Sequence, residues 1–168
     1  MLAFAHSLLP RREIATSIRH PALAALYAYW QRLGGGDGVM PKRRAFDPVD
    51  LDPSVWPRLF LIATSDRRES CEVRVQGTYM VEAYGRDFTG MHCNDAEIPH
   101  FGRSNTARLL ENLIREHAPQ YDFGSTNFRF YDDYRICEQV LLPLADETGA
   151  LCAAIGAVDF PAFRGVRP

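Results

Sequence analysis

No apolar stretch in this chain approaches the roughly 20 residues that a bilayer-spanning helix needs, which excludes that element from the sequence. The segment Met1–Leu9 is apolar but brief, and its positive charges follow it at Arg11 and Arg12, the reverse of a secretory signal. Four cysteines, Cys71, Cys93, Cys137 and Cys152, form no C-x-x-C pair and no regular spacing, so reduced thiols and a cytoplasmic protein are expected. The formal net charge of -2 gives no general attraction to nucleic acid or to an anionic membrane. The glycine run Gly34-Gly-Gly-Asp-Gly38 lacks the lysine and the strand-to-helix setting of a phosphate loop, and reads as a helix terminator. There are no internal repeats and no low-complexity segments.

What is present is enough apolar matter for one core. At 168 residues, 46% hydrophobic and 24% charged, the chain fits a single domain over residues 20–160, with an extension over 1–19 and a flexible tail over 161–168. Leu23, Leu26, Tyr27, Trp30 and Leu33 recur at helical spacing behind Pro21, predicting a helix over 20–33. A second helix is expected over 104–117, with Leu109, Leu110, Leu113, Ile114 and His117 on one face. Strands are expected over 58–64, 71–76, 121–130, 134–145 and 150–158, with turns at Asp132-Asp133 and over 146–149. The last segment, Leu151-Cys-Ala-Ala-Ile-Gly-Ala-Val158, is apolar on both faces, as a central strand covered on both sides must be. The fold class that follows is α+β: a five-stranded antiparallel sheet with helices on one face and the N-terminal helix covering the other.

The most informative stretch is Val73-Arg-Val-Gln-Gly-Thr-Tyr-Met-Val-Glu-Ala-Tyr-Gly-Arg-Asp-Phe-Thr-Gly90. A strand ending on Gly77, a short helix to Tyr84 and a glycine-bracketed loop would cup the face of the sheet. Pairing Ala145 with Ala150 sets Leu141 against Ala154 and Gln139 against Gly156 on that same face. The other face then carries Val140, Leu142, Leu144, Leu151, Ala153, Ile155 and Ala157. Small residues beside one amide leave volume and a specific hydrogen-bonding group for a small molecule. The competing expectation is that helical side chains such as Leu110 or Tyr84 fill the space and Gln139 caps a helix end.

Across Trp30 to Asp159 the chain resembles the PAS superfamily of sensory domains, and within it a bacterial group of compact, often stand-alone PAS-like proteins. The resemblance rests on Met40-Pro-Lys-Arg-Arg44, Phe46-Asp-Pro48, Val75-Gln-Gly-Thr78, Gly85-Arg-Asp-Phe-Thr-Gly90 and Leu141-Leu-Pro-Leu144. It implies a ligand cleft between sheet and helices and names no ligand or cofactor. Flavin-binding relatives keep a reactive cysteine where Cys93 falls, but the Asn-Cys-Arg-Phe-Leu-Gln motif of that branch is here His92-Cys-Asn-Asp-Ala-Glu97, without the phosphate-contacting arginine. Asn127 and Gln139 can still reach a polar ring from the strands. Haem-binding relatives use a histidine near the long helix, where His117 lies; a satisfied core or dipole-complementing residue is the expectation here.

No catalytic residues and no metal site are assigned. His92, Cys93, Asp95, Glu97 and His100 lie close together but without the spacing of a zinc site, and Cys93 beside His92 or His100 lacks an orienting third group. The segment over 37–57 is expected to be an ordered crossing with one helical turn near Pro53 to Trp56. Arg43 and Arg44 in it can meet an acidic partner or nucleotide; the expectation is that one ties the crossing to Asp47 or a carboxylate on the core while the other is solvated. The leading expectation is a non-catalytic sensor binding a small ligand through Gln139, Gly156, Asn127, Tyr84, Tyr79, His92 and Cys93. It would signal through a protein partner and dimerise through the N-terminal helix. The alternative is a ligand-free interaction or dimerisation module built on Met1–Leu9 and the Leu23, Tyr27 and Trp30 face; an enzyme ranks last.

Overall fold

The computed structural model describes residues 11–36, 38–67, 70–125 and 136–161. Asn127, the Met1–Leu9 segment, the Asp132-Asp133 turn and residues 162–168 lie outside the described residues. The elements are α1 (Arg11–Ser17), α2 (Pro21–Arg32), β1 (Leu59–Ala63), β2 (Glu72–Gln76), α3 (Thr78–Tyr84), α4 (Asn105–Glu116), β3 (Gln120–Ser125), β4 (Ile136–Ala145) and β5 (Leu151–Asp159).

Helix α2 begins where His20 Nδ1 accepts the Ala22 N–H at 3.1 Å and Pro21 occupies the first turn. Its end is set by packing as much as by propensity. The Gly35 backbone lies against the Trp30 indole, where a Cβ would come within 2.4 Å of the ring, so only glycine fits. Helix α4 is capped by Ser104 Oγ, which accepts the Ala107 N–H at 3.1 Å, and it buries Leu109, Leu110 and Leu113. His117 closes α4 in the left-handed conformation (φ 50°) and sets its ring Nε2 2.8 Å from Asp66 Oδ1 in the β1–β2 connection.

The five strands are antiparallel in the order β2-β1-β5-β4-β3, so the last strand is central and lies beside the first. Both faces of the sheet are covered. On one, Leu23, Leu26, Tyr27 and Trp30 of α2 pack against Val140, Leu142, Leu144, Ala153, Ile155 and Ala157. On the other, Met80 and Ala83 of α3 and Leu109, Leu110 and Leu113 of α4 meet Phe60, Ile62, Cys137 and Leu141. Trp30 adds a directional tie, donating its indole N–H to the Pro143 carbonyl at 2.9 Å. Ile14 of α1 is buried in the same cluster as α2, so this part of the N-terminal extension joins the core.

Three expectations are corrected. The β4–β5 register is shifted by two residues, pairing Leu141 with Gly156 and Gln139 with Val158. An even shift preserves the faces, which is why Gln139 still points toward α4. A bulge at Leu144/Ala145 then reverses the strand end, so Leu151 joins the α4 side and Cys152 packs against the α2 side. Second, the Leu23, Tyr27 and Trp30 face of α2 is occupied by the sheet, with exposures of 0%, 5% and 1%, so it offers no surface for a dimer. Third, the crossing between α2 and β1 contains three short 3-10 turns, Arg43–Ala45, Pro48–Asp50 and Trp56–Arg58, where one turn near Trp56 was expected. Of the two arginines there, Arg44 pairs with Glu147 (Nε to Oε1, 3.1 Å) rather than with Asp47, tying the crossing to the β4–β5 turn.

Candidate functional site

Between the sheet and helices α3 and α4 lies a cavity of about 60 Å³. Drug-sized pockets run to roughly 300–1,000 Å³. This one has room for about four waters or a molecule of a few heavy atoms. Its walls are apolar: Phe60 and Ile62 from β1, Val73 from β2, Met80 and Tyr84 from α3, and Phe88, Ile98 and Phe101 from the loops before α4. The polar groups that reach it are Gln139 and Cys137 of β4, Thr106 and Ser104 at the start of α4, and Gln76 at the end of β2.

The focal polar pair is Gln139 and Thr106. Gln139 is 2% exposed, and its Oε1 accepts the Thr106 hydroxyl at 2.9 Å. That is its side-chain bond among the described residues. Gln76 holds the glycine-bracketed loop over the cavity. Its Oε1 accepts the Phe88 N–H at 2.7 Å and its Nε2 donates to the Arg86 carbonyl at 3.1 Å. Burial pushes the Tyr84 hydroxyl far above the usual tyrosine range, with weaker contributions from Cys137 and Tyr79. Burial likewise raises the Cys137 thiol, and the carboxylates of Asp122, Asp159 and Glu138 reinforce it. Both groups are neutral, so the lining presents no ionised side chain. Such a wall can hold a small neutral molecule and orient it through an amide; it has no base to activate a nucleophile.

Of the residues expected from the sequence, the structure brings Gln139 and Tyr84 to this cavity. Gly156 is not an opening: the Phe60 ring lies over it, and a Cβ there would come within 2.4 Å of Phe60 Cζ. Tyr79 turns to the end of the sheet, donating to Asp159 Oδ1 at 3.1 Å and receiving the Phe160 N–H at 2.8 Å. Cys93 is buried in the α4-side core with its N–H on the Cys71 carbonyl, outside the cavity lining. His92 is exposed and paired with Glu97, at 3.0 Å from Nδ1 to Oε1. Among the described residues no group of His, Cys, Asp and Glu is placed to hold a metal ion. A flavin ring does not fit the volume. Thr106 was missed although it carried a signal, because it shares the spacing of Leu109, Leu110 and Leu113 and so lies on the buried face of α4.

A second buried feature stands next to the first. Glu138 precedes Gln139 in β4 and therefore faces the opposite side of the sheet. It is 1% exposed, and its carboxylate accepts the Arg19 N–H at 2.6 Å, the His20 N–H at 3.1 Å and the Tyr121 hydroxyl at 3.0 Å. The Arg19 guanidinium stacks 3.8 Å from the Phe123 ring centroid. Together these contacts fix the joint between α1 and α2 to β3 and the first part of β4.

No curated protein matches the chain. Solved structures do. The fungal blue-light photoreceptor Vivid in its photo-excited form is 15% identical with a TM-score of 0.49, covering 85% of this chain and 99% of that one. The PAS domain of the histidine kinase ThkA is 15% identical with a TM-score of 0.45, covering 61% and 98%. The PAS domain of Bordetella pertussis BvgS is 14% identical with a TM-score of 0.43, covering 64% and 79%. Among the described residues no helix is long and apolar enough to cross a membrane. A family model described as PAS domain matches residues 18–159, and the chain belongs to that family.

Proposed function

We propose that the protein is a sensory module whose cavity binds a small neutral molecule, mostly apolar and carrying one hydrogen-bonding group for Gln139. The observation that supports this reading is the buried amide of Gln139 reaching a mostly apolar cavity with only Thr106 as its side-chain partner among the described residues. A buried amide has more hydrogen-bonding capacity than one hydroxyl satisfies, so a ligand with a carbonyl or hydroxyl gains a directed bond at little cost.

The output of such a module runs through β4. Gln139 and Glu138 are consecutive, so a ligand that displaces the strand at the first moves the carboxylate that holds Arg19 and His20 at the second. Release or tightening of that joint changes how the N-terminal segment is presented to a signalling partner or to a second copy. A second reading, an interaction module with a filled core, is favoured by the small volume of the cavity.

Gln139→Leu separates the two readings, because leucine keeps the apolar volume and removes the amide. Native mass spectrometry of the wild-type protein, set against its denatured mass, is expected to show a bound mass of a few heavy atoms up to a small metabolite. The Gln139→Leu protein should lack it, or lose affinity by about tenfold, the worth of one directed hydrogen bond. A bare wild-type mass, with no thermal shift from small amides, alcohols or ketones added at millimolar concentration, would overturn the ligand reading in favour of the second.

A further inference from the structure

Residues 47–56 of the crossing form a loop unlike the rest of the surface. They include three acids, Asp47, Asp50 and Asp52, and no basic residue. Among the described residues none of the three acids forms an ion pair. The flanking cations are engaged elsewhere, Arg44 with Glu147 and Arg58 with Asp159. The same loop exposes two large apolar side chains, Val49 at 78% and Trp56 at 46%.

The loop is also preorganised. Asp47 Oδ1 accepts the Val49 N–H at 3.0 Å, Asp52 Oδ1 accepts the Ser54 N–H at 2.8 Å, and the Tyr29 hydroxyl holds Asp50 Oδ2 at 3.3 Å. Leu51 and Val55 are buried beneath it, at 4% and 0% exposure. The Trp56 indole N–H donates to the Pro48 carbonyl at 2.9 Å, which draws the ring toward the Asp47–Asp50 turn and fixes its rotamer. The one polar atom of the indole is thus satisfied inside the loop, while a large part of the ring stays in water.

We propose that this loop is the docking site for a basic peptide segment of a partner protein. An arginine or lysine of that segment stacks on Trp56 within reach of Asp50 and Asp52, and an adjacent apolar side chain covers Val49. Three physical points carry the assignment. Tryptophan is the strongest aromatic partner for a cation, and uncompensated carboxylates beside it add charge complementarity. Tryptophan and arginine are the side chains most enriched at energetic centres of interfaces. A ring already locked by a hydrogen bond loses little rotamer entropy on binding, so more of the contact energy survives as affinity. The site lies outside the cavity and does not depend on it.

The test uses the full chain and two synthetic peptides, Leu-Arg-Leu-Arg-Leu and Leu-Glu-Leu-Glu-Leu, with blocked ends. Trp30 is 1% exposed, so changes in tryptophan emission on peptide addition report Trp56. The arginine peptide is expected to shift the emission saturably and to lose about tenfold in affinity when salt is raised from low to about 0.5 M, while the glutamate peptide gives no shift. The double substitution Asp50→Asn and Asp52→Asn keeps both side chains as hydrogen-bond acceptors and should weaken binding about tenfold. Val49→Ser, at a side chain too exposed to matter for folding, should weaken it about threefold, followed by calorimetry along with Trp56→Ala. The proposal is overturned by no saturable shift, by equal responses to the two peptides, or by full affinity in the Asp-to-Asn protein. A shift that depends on protein concentration and not on peptide would overturn it too, assigning the patch to self-association.

Discussion

Replacing Glu138 with alanine is expected to lower stability by about 3 kcal/mol, because it removes a buried carboxylate that accepts two backbone N–H bonds, and bonds to a charged acceptor are worth about 1.5–3 kcal/mol each. The Arg19 and His20 N–H groups and the Tyr121 hydroxyl all bond this carboxylate, which is itself 1% exposed. Tyr121 would keep its bond to the Ser17 carbonyl at 2.8 Å, which limits the loss. For a chain of 168 residues the corresponding fall in Tm is about 6–12 °C by scanning calorimetry. Glu138→Gln retains one acceptor oxygen and turns an NH₂ group toward a backbone N–H, so its fall should be roughly half as large. The contrast is Glu147→Ala. Glu147 pairs with both Lys42 and Arg44, but its side chain is 57% exposed, and water screens such pairs to about 0.5 kcal/mol or less. Hydrogen exchange adds a local readout: the Arg19 and His20 amides should lose protection in Glu138→Ala while those of β5 keep theirs. Equal protection in both proteins would mean that the α1–α2 joint is held by packing alone.

The same residue shows what the sequence could and could not disclose. Helices α2 and α4 were legible because their apolar residues recur with the helical period and each has a start signal, Pro21 for one and Ser104 for the other. The central place of β5 was legible because a strand covered on both faces has no polar alternation. What failed were lateral facts. Glu138 reads as one acid in an apolar strand, and its partners lie more than a hundred residues away at Arg19 and His20. Nothing local marks such a bond.

The hairpin register failed for a local reason. Asp146 closes the turn by accepting the Thr148 and Ala150 N–H groups, at 2.8 and 3.1 Å, and its own N–H reaches the Ala150 carbonyl at 2.8 Å. The turn pairs Ala145 with Leu151 instead of Ala150, which shifts the count by one residue, and the bulge at Leu144/Ala145 shifts it by a second, so the rest of the hairpin is two residues off. The even error left Gln139 on the correct face and misplaced Leu151. The cavity was therefore anticipated on the right side of the sheet but with the wrong floor, since the residue that roofs Gly156 comes from a strand nearly a hundred positions earlier.

That floor carries the second large expected effect. Gly156→Ala should destabilise the protein by about 2 kcal/mol, an overpacking cost rather than a cavity cost. The added Cβ would lie 2.4 Å from Phe60 Cζ, 2.8 Å from Phe60 Cε1 and 2.7 Å from the Val140 carbonyl oxygen. The ring can tilt, but the carbonyl belongs to the β4–β5 ladder and yields only with the strand. Phe60→Leu alone removes the end of the ring and should cost about 1.5 kcal/mol. In the double mutant the ring clash is gone while the carbonyl contact remains. The two costs should then add to less than their sum by about 1 kcal/mol, measured as a coupling energy from urea unfolding. Strict additivity would show that the ladder, not Phe60, dictates glycine at this position. The cycle also bears on the cavity, because Phe60 is part of its wall. A ring pushed off Gly156 by alanine moves into the space beside Gln139, so Gly156→Ala should weaken any ligand that Gln139→Leu weakens. Phe60→Leu, which enlarges the same space, should admit larger ones.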